Sequence, residues 1–206
     1  MALAWAAPVT AQVTVSGAAL VGSVEHRVDA GFGVETNSGV VAGGMASVTF
    51  GRVGVTAAAH SGTLKAGLGA TQDLELAEGA LHGTARVLDW LWLEAGVRWR
   101  AYVAPVGRQR WSLAEVGTLG RLPFAVPGLA ALGRVMLQPT VRVSGGLNPD
   151  PSLRGAVGLE YARGPLQGQL LYGRERHEFP SLGGFQRLEQ LSAVTFRLSL
   201  QLARGS

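Results

Sequence analysis

The 206 residues suffice for a single domain built on a sizeable sheet, and 47 % of them are hydrophobic against only 16 % charged. Mean hydropathy is +0.22, yet no run of about 18 apolar residues occurs, which excludes a membrane-spanning helix. Cysteine is absent, which excludes disulfides and thiolate metal sites, and the net charge of +4 is spread over arginines and the single Lys65 without the clustered stripe that nucleic-acid binding needs.

In chain order, Met1 to Ala11 (MALAWAAPVTA) is small and apolar and ends in Val9-Thr10-Ala11 before Gln12, the pattern of a secretory cleavage site. Residues 1–11 are therefore expected to be the remnant of a signal peptide, and 12–206 one domain. From there the period is two. Diluted alternation runs through Val13 to Arg27, Val41 to Phe50, Val53 to His60 and Leu74 to Leu88. The clearest strand follows: Leu91, Leu93, Ala95, Val97, Trp99, Ala101 and Val103 share one face, while Trp92, Glu94, Gly96, Arg98, Arg100 and Tyr102 share the other. Trp111 to Leu122 comes next, its alternation slipping near Glu115-Val116 as if at a bulge. Then Val135, Leu137, Pro139, Val141 and Val143 oppose Gln138, Thr140, Arg142 and Ser144. Leu153 to Tyr161 and Leu166 to His177 repeat the pattern, and Val194, Phe196, Leu198, Leu200 and Leu202 line one face of the last strand.

These make ten strands, with eight or twelve as alternatives. Short links at Gly51-Arg52, Leu88-Asp89-Trp90 and Arg163-Gly164-Pro165 alternate with longer ones at 29–40, 61–73, 104–110, 145–152 and 178–186; the link 123–132 is long for its class. A chain that lives in a bilayer without a helix must satisfy its backbone by closing a barrel, and short turns at one end with longer loops at the other are the topology of such barrels. An antiparallel up-and-down transmembrane β-barrel is expected, with both termini at the short-turn end.

The polar face separates this from a water-soluble barrel. It carries Gly, Ala, Ser, Thr and charges of both signs, which suit a narrow interior filled by its own side chains. Trp90, Trp92, Phe50, Phe124 and Tyr161 fall near short-turn ends and Trp99, Tyr102, Trp111 and Tyr172 towards long-loop ends, as two interfacial girdles require. With these features and the terminal strand Leu191 to Leu202, the chain resembles the small outer-membrane β-barrel proteins of Gram-negative bacteria. The resemblance covers about Gln12 to Leu202 and implies an outer-membrane location, passage through the barrel-assembly machinery, and contact with outer-membrane lipid and lipopolysaccharide.

For function, a monomeric barrel with a structural or envelope-interaction role comes first. A narrow channel for small solutes, a lipid A-modifying or proteolytic enzyme, and a soluble secreted ligand-binding barrel are the alternatives. Lumen charges are expected at Glu94, Arg98, Arg100, Arg142, Glu160 and Arg197. His60 and Ser61, with Glu25 or Glu178, are the candidate catalytic residues, since an imidazole held by an acid can take a hydroxyl proton. No H-x-H or H-E-x-x-H spacing supports a metal, and no cofactor is expected. Arg27, Arg100, Arg108, Arg110, Arg174, Arg176 and Arg187 would form a collar at the loop end, of which Arg108, Arg110, Arg174 and Arg176 are the candidate lipopolysaccharide contacts.

Overall fold

The computed structural model describes residues 13–31, 33–105, 107–181 and 186–205; the expected signal remnant lies outside them. Ten strands follow one another: β1 (Val13–Asp29), β2 (Val34–Phe50), β3 (Val53–Ala66), β4 (Leu74–Leu88), β5 (Leu91–Ala104), β6 (Gly107–Pro123), β7 (Leu129–Val143), β8 (Ser152–Arg163), β9 (Leu166–Glu178) and β10 (Leu188–Gly205). Each pairs antiparallel with its sequence neighbours, and β10 closes on β1. Closure leaves no unpaired edge, which is the condition for placing a sheet in hydrocarbon.

The register sets the slant of the strands. A cross-strand row followed from Arg27 on β1 through β10 and on around to β2 returns to β1 at Val15, twelve residues lower. At ~3.3 Å per residue along strands and ~4.8 Å between them, that offset over ten strands is a tilt of about 40°.

The outer wall is apolar. Val97, Trp99, Leu137, Leu153, Val157, Leu170, Val194, Phe196, Leu198 and Leu200 are all exposed. On β10 this belt runs from Val194 to Leu202, which at the same tilt is roughly 20 Å tall, close to the ~25 Å apolar band of membrane barrels. A wall of this composition does not face water, so the soluble alternative is set aside. Below the belt lie the short turns. Gly51 at φ +57° opens the β2–β3 turn with Arg52, a conformation that only glycine adopts without strain.

Three expectations change. Strands reach further towards the loop end than alternation of apolar residues suggested: β2 begins at Val34, β3 ends at Ala66 and β6 begins at Gly107. Most of their outer positions there are polar (Thr36, Ser38, Thr63, Lys65, Arg108 and Arg110, against Val34 and Val40), so the apolar signal thins before the strand ends. The link expected at 123–132 shrinks to 124–128 because β6 and β7 pair as far as Pro123↔Ala130. Finally, β6 alternates without interruption, and the irregularity sits opposite it on β7, where Ala114↔Thr140 is followed by Val116↔Leu137. The extra residue falls at Pro139-Thr140, both exposed; proline has no N–H to lose at a bulge. Beyond it the faces exchange, so Val141 and Val143 point inward and Arg142, expected in the lumen, points out.

Inward glycines admit tight strand packing. A Cβ on Gly96 would stand 2.2 Å from the Leu81 carbonyl oxygen and 2.4 Å from His82 Cδ2, whereas one on Gly168 would meet nothing within 4 Å. Gly96→Ala is therefore expected to destabilise the barrel by about 1–3 kcal/mol through overpacking, lowering the temperature at which it loses its compact migration on a gel, while Gly168→Ala migrates as wild type.

Candidate functional site in the lumen

Alternation points every second residue of each strand into the barrel, and the register then stacks those residues in tiers. The central tier is charged. Arg98 and Arg100, two apart on β5, share the inner face and meet Glu78 from β4, Glu115 from β6 and Glu175 from β9, all five buried. The Arg98 guanidinium lies 3.2 Å from Glu78 Oε2 through Nη1, and through Nη2 2.8 Å from Glu115 Oε1 and 2.7 Å from Glu175 Oε2. Arg100 donates both terminal nitrogens to the Glu175 carboxylate at 3.2 and 3.0 Å, and its Nε to Glu78 Oε2 at 2.7 Å. Such fork-to-carboxylate contacts are the strong form of charge-assisted hydrogen bond.

Polar side chains extend this cluster across the lumen. His82 Nε2 lies 2.8 Å from Glu115 Oε2, and Gln138 Nε2 donates to Glu115 Oε1 at 2.8 Å. Ser152 Oγ donates to Gln138 Oε1 at 2.5 Å and faces His177 Nδ1 at 3.0 Å; His177 Nε2 contacts Glu175. Ser152, His177 and Glu175 thus have the connectivity of a catalytic triad. The polarity is wrong for one. A carboxylate only accepts, so the amide nitrogen of Gln138 must face Glu115 and its oxygen Ser152. The hydroxyl hydrogen then points at Gln138, and because the Glu175 carboxylate accepts from His177 Nε2–H, Ser152 accepts from Nδ1–H only when the imidazole carries both protons. A nucleophile needs the reverse, with the imidazole accepting from the hydroxyl.

A second charged tier lies nearer the short turns. Arg134 Nε donates to Glu94 Oε2 at 2.5 Å, Arg121 Nε to Glu160 Oε1 at 2.7 Å, Gln169 Nε2 to Glu160 Oε2 at 2.9 Å and Arg197 Nη1 to Gln169 Oε1 at 3.1 Å. Above the central tier, towards the loops, the filling turns apolar and aromatic. Tyr102, Trp111, Leu113, Val24, Val41, Leu64, Leu76 and Phe179 are buried in one cluster. His26 stacks on Tyr102 with ring centroids 4.5 Å apart, Trp111 meets Phe179 edge-on at 5.9 Å, and the Arg187 guanidinium lies 4.9 Å above the Phe179 ring.

Of the expected lumen charges, Glu94, Arg98, Arg100, Glu160 and Arg197 are inside and Arg142 is outside. Arg100 therefore leaves the loop collar, and Arg187, ion-paired with Glu189, caps the lumen. His60 and Ser61 do not form a site: His60 faces the lumen 4.0 Å from Glu78, Ser61 is exposed on the outer wall, and Glu25 is also exposed. Arg27, Arg108, Arg110, Arg174 and Arg176 are exposed on outward positions at the loop end. Glu78, Glu115, Glu175 and Ser152 are absent from the expected lumen residues, and Gln138 is expected only on the polar face of its strand, although each occupies the face opposite an outward Leu or Val in its strand.

Comparison with solved structures fits this geometry. The outer-membrane protease OmpT of Escherichia coli superposes with a TM-score of 0.55 at 12 % identity, over 95 % of this chain and 97 % of that one. The translocator domain of the autotransporter NalP of Neisseria meningitidis gives 0.50 at 12 % identity, over 91 % and 88 %. No protein-family model matches the sequence, and no curated protein matches it either. The closed ten-stranded fold and its apolar outer belt define a small β-barrel of the kind found in Gram-negative outer membranes.

Removing Arg98 would take one cation from three buried carboxylates, leaving Glu78 and Glu175 to share Arg100, and Glu115 with His82 and Gln138. Arg98→Met is expected to cost about 3–5 kcal/mol, measured as lowered resistance of the folded barrel to urea in lipid vesicles, and Arg121→Gln, at the half-exposed rim of the lower tier, roughly half of that or less.

Proposed function

We propose that the protein is an insulating barrel of the Gram-negative outer membrane, with a structural or envelope-interaction role in place of solute passage. The observation that carries this reading is Arg98: it is 1 % exposed and bound to carboxylates from three other strands, so charge fills the middle of the lumen. An open pore keeps a continuous column of water past its charged residues; here the central tier is backed by Trp111, Leu113 and Phe179 on the loop side. The exposed arginines above the belt supply the envelope-facing side of the role, as contacts for lipopolysaccharide phosphates.

The channel alternative would have to pass the central tier, where Arg98 and Arg100 are 1 % and 3 % exposed. The hydrolase alternative draws on the fold it has in common with a protease, but the His177–Glu175 pair is 2 % exposed on both sides, and Ser152 commits its proton to Gln138. Turnover of peptides and lipid A by the purified barrel is expected to equal that of the buffer.

In planar bilayers the wild-type protein is expected to give no unitary conductance. The Arg98→Ala, Arg100→Ala double variant, which leaves Glu78, Glu115 and Glu175 lining a cavity, is expected to leak cations. A steady wild-type conductance of fixed unit size would overturn the proposal.

A further inference from the structure

The outer belt is not uniformly covered. Over β10 it is filled by Val194, Phe196, Leu198 and Leu200, but at two places glycine and alanine leave grooves in it. The first, about 510 Å³, lies over β7, β8 and β9. Its floor is Gly133 and Gly155, where an added Cβ would meet nothing within 4 Å, and its walls are Val135, Leu153, Val157 and Tyr172, each about half exposed. Arg174 and Arg176 close its loop end, Arg174 paired across the ladder with Gly155 itself and Arg176 with Leu153.

The second groove, about 610 Å³, lies over β2 to β6. One cross-strand row forms its floor, Ala42↔Ser61↔Ala77↔Ala101, and the next partner in that row is Arg110. Trp99 stands beside it, and Arg108 continues above Arg110. The two grooves therefore repeat one arrangement from unrelated residues: an apolar trough, an aromatic ring of the kind that sits at headgroup level, and an arginine pair at the loop end.

The charges identify the occupant. Arg108 and Arg110 have no ion-pair partner within 4 Å among the described residues; Arg174 donates to the neutral Gln190 at 2.9 Å; only Arg176 is paired, with Glu178 at 2.7 Å where both are about half exposed. Apolar belt residues facing hydrocarbon below and exposed guanidinium groups at the polar boundary above, three of the four without an ion-pair partner among the described residues, suit a molecule with acyl chains and a phosphate on one body. Both volumes lie within the ~300–1,000 Å³ range of ligand sites.

Resting on the outer-membrane reading above, we propose that the two grooves are separate seats for the lipid A portion of lipopolysaccharide. In each, an acyl chain lies along the glycine or alanine floor and a glucosamine phosphate is held by the arginine pair, Arg174 with Arg176 or Arg108 with Arg110. The sequence carries the arginines openly; the floors become visible only when the register sets glycines and alanines of different strands side by side.

The test uses the folded, delipidated full-length barrel in detergent, titrated with purified diphosphorylated lipid A and followed by native mass spectrometry. Two equivalents are expected to bind. R174Q/R176Q and R108Q/R110Q are each expected to lose one equivalent, weakened at least tenfold, and the fourfold variant both. Gly155→Leu, which fills the first floor and keeps all four arginines, is expected to lose the first equivalent alone; heat-modifiable migration verifies that each variant is folded. Dephosphorylated lipid A is expected to bind at least tenfold more weakly than the parent. Unchanged binding by the fourfold variant overturns the seats, and phosphatidylglycerol binding as tightly with the same residue dependence overturns the assignment to lipid A. A barrel that inserts into vesicles but ignores the lipid contradicts the seats alone, whereas a chain that stays soluble without detergent contradicts the outer-membrane reading itself.

Discussion

The Arg98 guanidinium is the interaction on which the interior depends. It reaches from β5 to carboxylates on β4, β6 and β9, so one side chain ties strands that share no backbone ladder with it to those that do. Buried ions cost several kcal/mol each to desolvate, and the cost is offset only where the pairing is nearly complete. Here Arg98 and Arg100 divide three carboxylates between them, Arg154 stands 3.9 Å from Glu115, His82 and Gln138 bond Glu115, His177 bonds Glu175, and Ser152 joins Gln138 to His177. The lumen is thus filled by a network of ion pairs and hydrogen bonds that leaves few buried polar atoms without a hydrogen-bond partner, Arg98 Nε and Trp111 Nε1 among them, flanked on the loop side by aromatic packing.

The membrane explains why the polar groups are inside. Lipid tails are as apolar as leucine, so an apolar outer wall loses nothing by facing them, while a polar interior is screened from hydrocarbon by the closed sheet. With a ring of only ten tilted strands the interior has room for side chains and little else. Charge on the inner face and small residues at its tightest points, such as Gly96 against His82, are two answers to the same narrowness.

Most of the fold was legible in alternation. All ten strands are where a period of two puts them, because the outer positions must be apolar at belt height whatever the inner ones do. Alternation fails where that pressure ends: above the belt the outer residues of β2, β3 and β6 become Ser38, Lys65 and Arg108, and the strands continue unannounced. It also fails at Pro139-Thr140, where one extra residue reverses the faces and sends Arg142 outward. The network was half legible. Arg98 and Arg100 stand out because two charges fall on one inner face. Glu78, Glu115 and Glu175 are dispersed over almost a hundred residues and meet only through the cross-strand register. The pairing of His60 with Ser61 failed for the opposite reason, since neighbours in a strand point to opposite faces.

The absence of cysteine from the chain permits a direct measurement of the sealed lumen. Met136 is inward-facing and fully buried. In a folded Met136→Cys barrel reconstituted in vesicles, a charged methanethiosulfonate reagent added to both sides should leave the thiol unmodified over a time in which a cysteine placed at the exposed Ser144 reacts to completion. Modification of the two at comparable rates would mean that water and ions reach the middle of the barrel, and would contradict a lumen closed by its own side chains.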